Sequence, residues 1–258
     1  MLVAALDTAT LTLSCALVDV SAGGGVRVRC SRTDRQPAKA VEGKVGGHGA
    51  ALPQALVDLL RAEGLAIPDV EGFAVGLGPG SFTGLRVGLA TWKGLAYANR
   101  RPIAGASSLA AMALGAARDA ADGALLVPLL DARKGEVYAG FYRSRGGGIV
   151  ALADEVAVPP EALAERVRGV AGAEAAVAFG EGYDAYAQVL GAVLPRLATE
   201  VATPPAGALA ALVSERLAGA AFDAQALFAL EPHYVRPSEA EAKFPHGTVP
   251  PAGAGRGN

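Results

Sequence analysis

Cysteine and histidine are scarce in this chain of 258 residues, which contains two cysteines and three histidines. Two cysteines, Cys15 and Cys30, are too few for a disulfide framework or a four-cysteine zinc site. The histidines His48, His233 and His246 do not form a pair three to five positions apart, which is the spacing that places two metal ligands on one helix face. The sequence therefore predicts no metal site in this chain.

Long hydrophobic runs and an excess of positive charge are also missing. The 23 lysines and arginines nearly balance 25 aspartates and glutamates, which argues against a strongly basic nucleic-acid-binding surface acting alone. A local basic patch, or a partner subunit that binds the nucleic acid, stays open. The longest uncharged stretch lies between Arg101 and Arg118 and is too short to span a bilayer. Asp7 interrupts the apolar N-terminus, which lacks the basic region of a signal peptide. We therefore expect a cytoplasmic protein with no membrane partner.

The chain is 52% hydrophobic and 19% charged, and it contains the same order of elements twice. Strand, strand, glycine turn, strand, helix, strand and helix follow one another from Leu2 and again from Leu125, and Asp7 and Asp131 each close a first strand. This order predicts an α/β protein of two lobes, each a mixed sheet flanked by helices. The expected boundaries are 1–104 for the first lobe, 105–244 for the second and 245–258 for a disordered tail. The last helix, 206–220, is a candidate to pack back on the first lobe.

The densest motif is a glycine-rich string that joins a strand to a helix near residue 83. Gly78 and Gly80 allow close approach of another group, and Ser81 or Thr83 can cap the helix. Backbone N–H groups at such a helix start suit a phosphate, although both the Walker and the dinucleotide spacings are absent. The motif therefore predicts either a phosphate-binding loop or a tight strand-to-helix turn.

Asp7, Thr8 and Thr10 form a second motif at the end of the first strand. An aspartate followed by hydroxyls can ligate a metal-bound phosphate, or it can satisfy the N–H groups of an ordinary turn. The matching turn after Asp131 is charged and bulky, which favours a solvated hairpin there. The candidate degenerate nucleotide or phosphate site comprises Asp7, Thr8, Thr10, Gly78, Gly80, Ser81 and Thr83.

The predicted helix 83–98 is apolar on two faces. Gly84 and Gly88 form a small-residue face, and a stripe that begins at Leu85 lies opposite. Such a helix is buried on two sides, one of which faces the sheet of its own lobe. The other side faces either a neighbouring chain or the first helix of the same lobe.

Several segments resemble the bacterial TsaB (YeaZ) family. They are Leu6–Thr10, His48 before a leucine-rich helix, Gly78–Gly88, Lys93–Ala96 and Leu130–Tyr138. The resemblance is strong over residues 1–143 and continues weakly to 234–236. It implies an actin/Hsp70/sugar-kinase type of fold with two ribonuclease-H-like lobes, in agreement with the duplication.

The resemblance also implies a role in making threonylcarbamoyladenosine next to the anticodon of tRNAs. In that system a TsaD-type subunit holds a metal and transfers the threonylcarbamoyl group. A TsaB-like chain pairs with it and activates it, and a small TsaE-type ATPase joins them. The resemblance further implies contact with tRNA through the complex, a homodimer when the chain is alone, and no tightly bound cofactor. ATP, ADP or a metal would then belong to the complex.

Leu52 stands four residues after His48, where a catalytic relative would place its second histidine. We infer that the chain keeps the transferase architecture without the metal centre, so that apolar helix faces contact the catalytic subunit. The expected anchors are Leu52, Leu56, Leu59, Leu60, Leu85, Leu89 and Trp92. Two alternatives are a nucleotide-dependent phosphotransferase or ATPase that uses Asp7 and the loop 78–84, and a protein resembling a metallopeptidase.

Overall fold

Two mixed β-sheets form the framework of the computed structural model, which describes residues 1–35, 48–171 and 175–236. The strands of the first sheet are β1 (Leu2–Asp7), β2 (Thr12–Val20), β3 (Val26–Arg35), β4 (Gly72–Gly76) and β5 (Ile103–Ala106). The strands of the second are β6 (Leu125–Arg133), β7 (Glu136–Arg145), β8 (Gly148–Val158) and β9 (Ala176–Phe179). Their orders across the sheets are β3-β2-β1-β4-β5 and β8-β7-β6-β9.

The two sheets repeat one topology. In the first, β1 runs antiparallel to β2 and parallel to β4. In the second, β6 runs antiparallel to β7 and parallel to β9. The third strand of each unit, β3 or β8, lies at the edge and pairs antiparallel with the second. The predicted α/β fold of two duplicated mixed sheets is therefore confirmed.

Helices cover and connect the sheets. They are α1 (His48–Ala62), α2 (Phe82–Ala98), α3 (Ser108–Ala116), α4 (Pro160–Ala171), α5 (Glu181–Ala185), α6 (Ala187–Leu190), α7 (Ala206–Leu217) and α8 (Ala224–Ala229). The sequence predicts one helix over 184–193, but the structure has two short ones because the backbone of Tyr186 (φ −122°, ψ 29°) leaves the helical region. Within the described ranges, no helix is long and apolar enough to cross a membrane.

The first sheet extends further along the chain than the sequence predicts. The expected boundary at residue 104 falls inside β5, which pairs in parallel with β4. This strand has only four residues, so it carries too little periodicity to be seen in the sequence. Helix α7 returns to the same lobe: Ala210 and Val213 pack in a cluster with Val3 of β1, and the N–H of Ala206 donates to Oγ of Ser14 at 3.0 Å. The expected tail 245–258 lies outside the described residues.

The seven expected partner anchors are core residues of the chain itself. All are at most 7% exposed: Leu52, Leu56, Leu59, Leu60, Leu85, Leu89 and Trp92. Six of them pack in the cluster that contains Leu6 and Phe73 of the sheet, and Leu85 packs with α3. An amphipathic helix buries its apolar stripe against its own sheet first. The assignment of these side chains as exposed anchors is therefore wrong, since it took the inward faces of α1 and α2 for outward ones.

Replacing Leu56 with alanine tests this packing. Because Leu56 is 1% exposed, we expect Leu56→Ala to lower the free energy of unfolding by about 2–5 kcal/mol. Gln54→Ala, on the exposed side of α1, should change it by no more than about 0.5 kcal/mol. Urea unfolding followed by the fluorescence of Trp92, the single tryptophan, measures both. Equal effects of the two substitutions would contradict the described orientation of α1.

Candidate functional site

Asp7 lies at the end of β1, and its carboxylate is fully enclosed. Its Oδ1 accepts the N–H of Ala9 at 2.8 Å, and its Oδ2 accepts the hydroxyl of Ser108 at 2.6 Å. Burial raises the pKa of Asp7 to about 6, although the hydrogen bonds from Ser108 and Ala9 act in the opposite direction. Both oxygens are thus used within the chain, and neither faces an open cleft.

The turn after Asp7 packs directly against α2. The hydroxyl of Thr8 donates to the carbonyl of Gly84 at 2.8 Å. A Cβ at Gly84 would lie 2.3 Å from the carbonyl oxygen of Thr8, and a Cβ at Gly88 would lie 2.2 Å from Oγ1 of Thr8. The turn therefore packs on the small-residue face of α2. The apolar stripe on the other side of α2 packs against the sheet and α1. The second buried side of α2 is therefore covered by the first helix of the same lobe rather than by a neighbouring chain.

The glycine-rich loop directs its N–H groups at the chain itself. The N–H of Ser81 donates to the carbonyl of Ala9 at 2.6 Å, and that of Gly78 donates to Oγ of Ser108 at 3.2 Å. Oγ of Ser81 caps α2 by accepting the N–H of Gly84 at 3.2 Å. A Cβ at Gly80 would lie 2.3 Å from the carbonyl oxygen of Ala9. The geometry is that of a tight strand-to-helix turn, with the β1–β2 turn occupying the position in front of it.

The candidate nucleotide residues are only partly brought together. Asp7, Thr8, Gly80 and Ser81 meet at the contact between the β1–β2 turn and α2, and Gly78 joins them through Ser108. The side chain of Thr10 turns back to bond with the N–H and carbonyl of Thr12. Thr83 is exposed at the start of α2. Nucleotide binding by these seven residues stays a prediction.

An ion pair within the turn stabilises the matching turn of the second lobe. The N–H of Arg133 donates to Oδ1 of Asp131 at 2.8 Å, and its guanidinium forms an ion pair with the same carboxylate at 3.1 Å. Arg133 and Lys134 adopt positive φ values of 62° and 55°, which make the turn tight. This is the charged hairpin that the sequence favours at this position.

Residues 232–236 form a C-terminal strap that lies across both lobes. On the first lobe, the N–H of His233 donates to the carbonyl of Leu77 at 2.7 Å. The Tyr234 ring lies 5.1 Å from that of Phe82, and its hydroxyl accepts from Nε of Arg86 at 2.9 Å. The strap therefore covers the outer side of the glycine-rich loop.

The other end of the strap is fixed to the second lobe. Arg236 donates to Oε2 of Glu136 at 2.5 Å and to the carbonyl of Ala132 at 3.1 Å. Val235 packs against the cluster that includes Leu130 and Tyr138. The bridging of the two lobes by this segment is visible only in the structure.

Glu155 on β8 is a buried acid that the sequence gives no reason to single out. Its side chain is 9% exposed, and its Oε1 accepts hydrogen bonds from the hydroxyls of Ser107 and Tyr142. Its Oε2 lies 3.7 Å from Nε2 of His233 in the strap. Burial raises the pKa of Glu155, while these two hydroxyls and His233 act to lower it. The acid thus connects α3, β7, β8 and the strap.

Within the described ranges, no group of three histidine, cysteine, aspartate or glutamate side chains could hold a metal ion. The side chain of His233 contacts Glu155 rather than a second histidine.

Comparison with known proteins decides the family. The family model for TsaD, described as tRNA N6-adenosine threonylcarbamoyltransferase, matches residues 46–242. The tRNA threonylcarbamoyladenosine biosynthesis protein TsaB of Escherichia coli is 34% identical over 188 residues, which cover 72% of this chain and 74% of that protein. This chain belongs to the TsaB family. The TsaB protein of Bacillus subtilis is 33% identical over 147 residues, or 57% of each chain.

Two solved structures extend the similarity to other TsaB-like chains. YeaZ from Pseudomonas aeruginosa is 29% identical and superposes with a TM-score of 0.68 over 91% of this chain and 100% of that one. A Pseudomonas aeruginosa protein described as similar to peptidase YeaZ is 30% identical, with a TM-score of 0.71 over 91% of this chain and 99% of that one. This TsaB family member therefore shares its two-lobed fold with both Pseudomonas aeruginosa proteins.

Four aromatic rings form an exposed surface on this TsaB-like chain, which we call the aromatic face. Its members are 36–64% exposed: Phe82, Tyr97, Phe228 and Tyr234. Two cations lie among them, since the Arg86 guanidinium is 3.9 Å from the Phe82 ring centroid and Nζ of Lys93 donates to the carbonyl of Phe228 at 3.0 Å. Residues 82, 86, 93 and 97 share one outward stripe of α2. This stripe mixes aromatic and basic side chains, so it lacks the apolar periodicity that marks the buried faces of α2 in the sequence.

Two glycines of α2 provide a matched test of the contact with the β1–β2 turn. We expect Gly88→Ala to lower the free energy of unfolding by about 1–3 kcal/mol, because its methyl group would overlap Thr8. Gly94→Ala has nothing within 4 Å of the added Cβ, so it should raise that free energy by about 0.5–1 kcal/mol through helix propensity. Chemical denaturation of both variants measures the difference. A stabilising Gly88→Ala would show that the turn does not pack on α2 as described.

The buried carboxyl of Asp7 predicts a dependence of stability on pH. Its pKa is about 6 in the folded chain against an ordinary value of 3.8, so its favourable contribution is complete below pH 3.8 and is lost as the pH rises through 6. Asp7→Asn cannot ionise. Its stability relative to the wild type should therefore rise by about 2–3 kcal/mol between pH 4 and pH 8, since one pKa unit corresponds to about 1.4 kcal/mol. Denaturation at several pH values tests this, and a flat difference would mean that Asp7 is ionised as readily as in solvent.

Proposed function

We propose that this chain is a scaffold subunit in the biosynthesis of threonylcarbamoyladenosine in tRNA, and that it pairs with and activates a TsaD-type catalytic subunit without performing the transfer. The names of the TsaB relatives from Escherichia coli and Bacillus subtilis support the pathway. The match to the TsaD family model supports a common architecture with the catalytic subunit.

The observation that carries the scaffold proposal is the occupied position in front of the glycine-rich loop. The carbonyl of Ala9 accepts the N–H of Ser81 at 2.6 Å, where a phosphate oxygen would otherwise bind. Asp7 is fully buried and bonded to Ala9 and Ser108, so it does not reach a substrate. This arrangement disfavours the alternative of a phosphotransferase or ATPase, which would need both groups open to a nucleotide.

The aromatic face is the surface that we propose for the catalytic partner. Aromatic and arginine side chains are enriched at protein interfaces and provide most of their binding free energy. Tyr97 is 52% exposed and Phe228 is 64% exposed, with their ring centroids 5.6 Å apart. Large apolar rings that remain this exposed lose more water contact on docking than the buried leucines, which are already in the core.

The resemblance to the TsaB family implies the remaining features of the proposal. A TsaE-type ATPase would join the complex, and tRNA would be contacted through the complex rather than by this chain alone. Any ATP, ADP or metal would be held at the level of the complex, and without its partner the chain would form a homodimer through the same face. Such a complex would work in the cytoplasm.

Variants of the aromatic face test this proposal. The chain is co-expressed with the TsaD-type protein of the same organism, and the affinity of the purified pair is measured by calorimetry. We expect Tyr97→Ala and Phe82→Ala each to weaken pairing about ten-fold or more, which corresponds to about 1.4 kcal/mol. Val150→Ala is the matched control, because Val150 is 47% exposed but lies on β8 of the second lobe.

The measured outcomes separate the two parts of the proposal. Loss of pairing and of tRNA modification in the face variants, with normal melting temperatures and an unaffected Val150→Ala, supports both. If all three variants pair normally, the aromatic face is the wrong surface. If the chain modifies tRNA without the TsaD-type protein, it is an enzyme in its own right and the scaffold role is wrong.

A further inference from the structure

An open cavity of about 350 Å³ lies at the end of the first sheet opposite Asp7. It is bordered by the residues that precede β1 and β5 and by the loop after α7. Its walls include Met1, Glu71, Arg100, Arg101, Pro102 and Phe222. The size falls in the range of small-molecule sites, and it is larger than a single phosphate ion requires.

Arg101 contributes an unsatisfied donor at this cavity. Its Nε is buried, and within the described ranges it has no hydrogen-bond partner. Its Nη2 makes one long contact of 3.4 Å to the carbonyl of Pro68. A buried donor without an acceptor is costly, and a bound anion would satisfy it only after the Arg101 side chain turned this atom toward the cavity.

Arg100 stands where glycine is the ordinary choice. It follows α2 with a positive φ of 50°, and the N–H of Arg101 closes the helix end on the carbonyl of Ala96 at 2.9 Å. Glycine is the usual residue at such a helix end, because a Cβ is disfavoured in the left-handed region. The guanidinium of Arg100 instead lies 5.0 Å from the Phe222 ring centroid, on the wall of the cavity. The unfavourable backbone conformation of Arg100 is consistent with a function for its positive charge.

The cavity carries net positive charge. Its acid, Glu71, is already used, since its Oε2 accepts the N–H of Leu2 at 2.7 Å and lies 3.7 Å from the Met1 ammonium group. Among the described residues, no carboxylate forms an ion pair with Arg100 or Arg101. Two unpaired guanidinium groups beside one neutralised acid favour an anion, and guanidinium matches the oxygens of a phosphate group.

We propose that this cavity binds the phosphate group of a small phosphorylated molecule through Arg100 and Arg101, with Phe222 beside its organic part. The competing explanation is that both arginines only stabilise the C-terminal end of α2, where positive charge is favourable. That explanation accounts for the charge but not for the placement of Arg100 and Arg101 on the wall of one cavity beside Phe222. The proposal is independent of pairing with a TsaD-type protein.

Calorimetric titration of the full chain at low salt tests the proposal with inorganic phosphate, pyrophosphate and ribose 5-phosphate. We expect saturable binding of at least one probe, weakened about ten-fold or more by Arg101→Gln and by Arg100→Gly. Arg100→Gly should not lower the melting temperature, because glycine adopts a φ of 50° without strain. Arg61→Gln on the exposed side of α1 is the charge-matched control and should bind like the wild type.

The probes also identify what is recognised. Tighter binding of ribose 5-phosphate than of inorganic phosphate would support recognition of the organic part as well, and equal binding would support recognition of the phosphate group alone. Three outcomes would overturn the proposal. They are no saturable binding of any probe at millimolar concentration, binding that both arginine variants leave unchanged, and binding of tRNA without binding of the small probes.

Discussion

The contact between the β1–β2 turn and the small-residue face of α2 is the interaction on which the first lobe depends. Thr8 and Ala9 reach the helix only because Gly80, Gly84 and Gly88 leave no side chain in their path. The approach is close enough for the carbonyl of Ala9 to accept the N–H of Ser81 and for the hydroxyl of Thr8 to donate to the carbonyl of Gly84. Water and ligands are excluded from a contact of this kind, because interiors pack at the density of organic crystals. The same contact therefore determines the shape of the lobe and fills the space in front of the glycine-rich loop.

The consequences for Asp7 follow from that contact. A carboxyl at the end of β1 would be a natural ligand for a metal-bound phosphate if it faced a cleft. Here the turn folds over it, Ala9 and Ser108 satisfy its oxygens, and burial favours its neutral form. The residue types of a nucleotide site are present, but Asp7 and Thr8 form their hydrogen bonds within the chain. The surface that we propose for a partner lies elsewhere, on the exposed rings of the aromatic face.

The two lobes are held together by elements far apart in the sequence. The strap fixes the loop at Leu77 to the hairpin at Glu136, and Glu155 connects the same strap to Ser107 and Tyr142. Helix α7 crosses back onto the first sheet and also contacts α3. No periodicity or motif predicts such pairings, because each depends on which surfaces are adjacent after folding. This is why the sequence gives no indication of where the strap lies and no reason to single out Glu155.

The sequence by itself determined the order of the elements, the duplication and the family, because alternating and helical periodicities and the glycine string are local properties of the chain. It also indicated correctly that α2 is apolar on two faces. Only the tertiary structure decided which faces are buried, since Leu56 and Trp92 read equally well as core or as interface until the sheet beneath them is in place. The same holds for Asp7 and the glycine-rich loop, whose residue types fit a phosphate site or a closed turn. The choice between them depends on a contact between segments some seventy-five positions apart, and such long-range packing has no local signature.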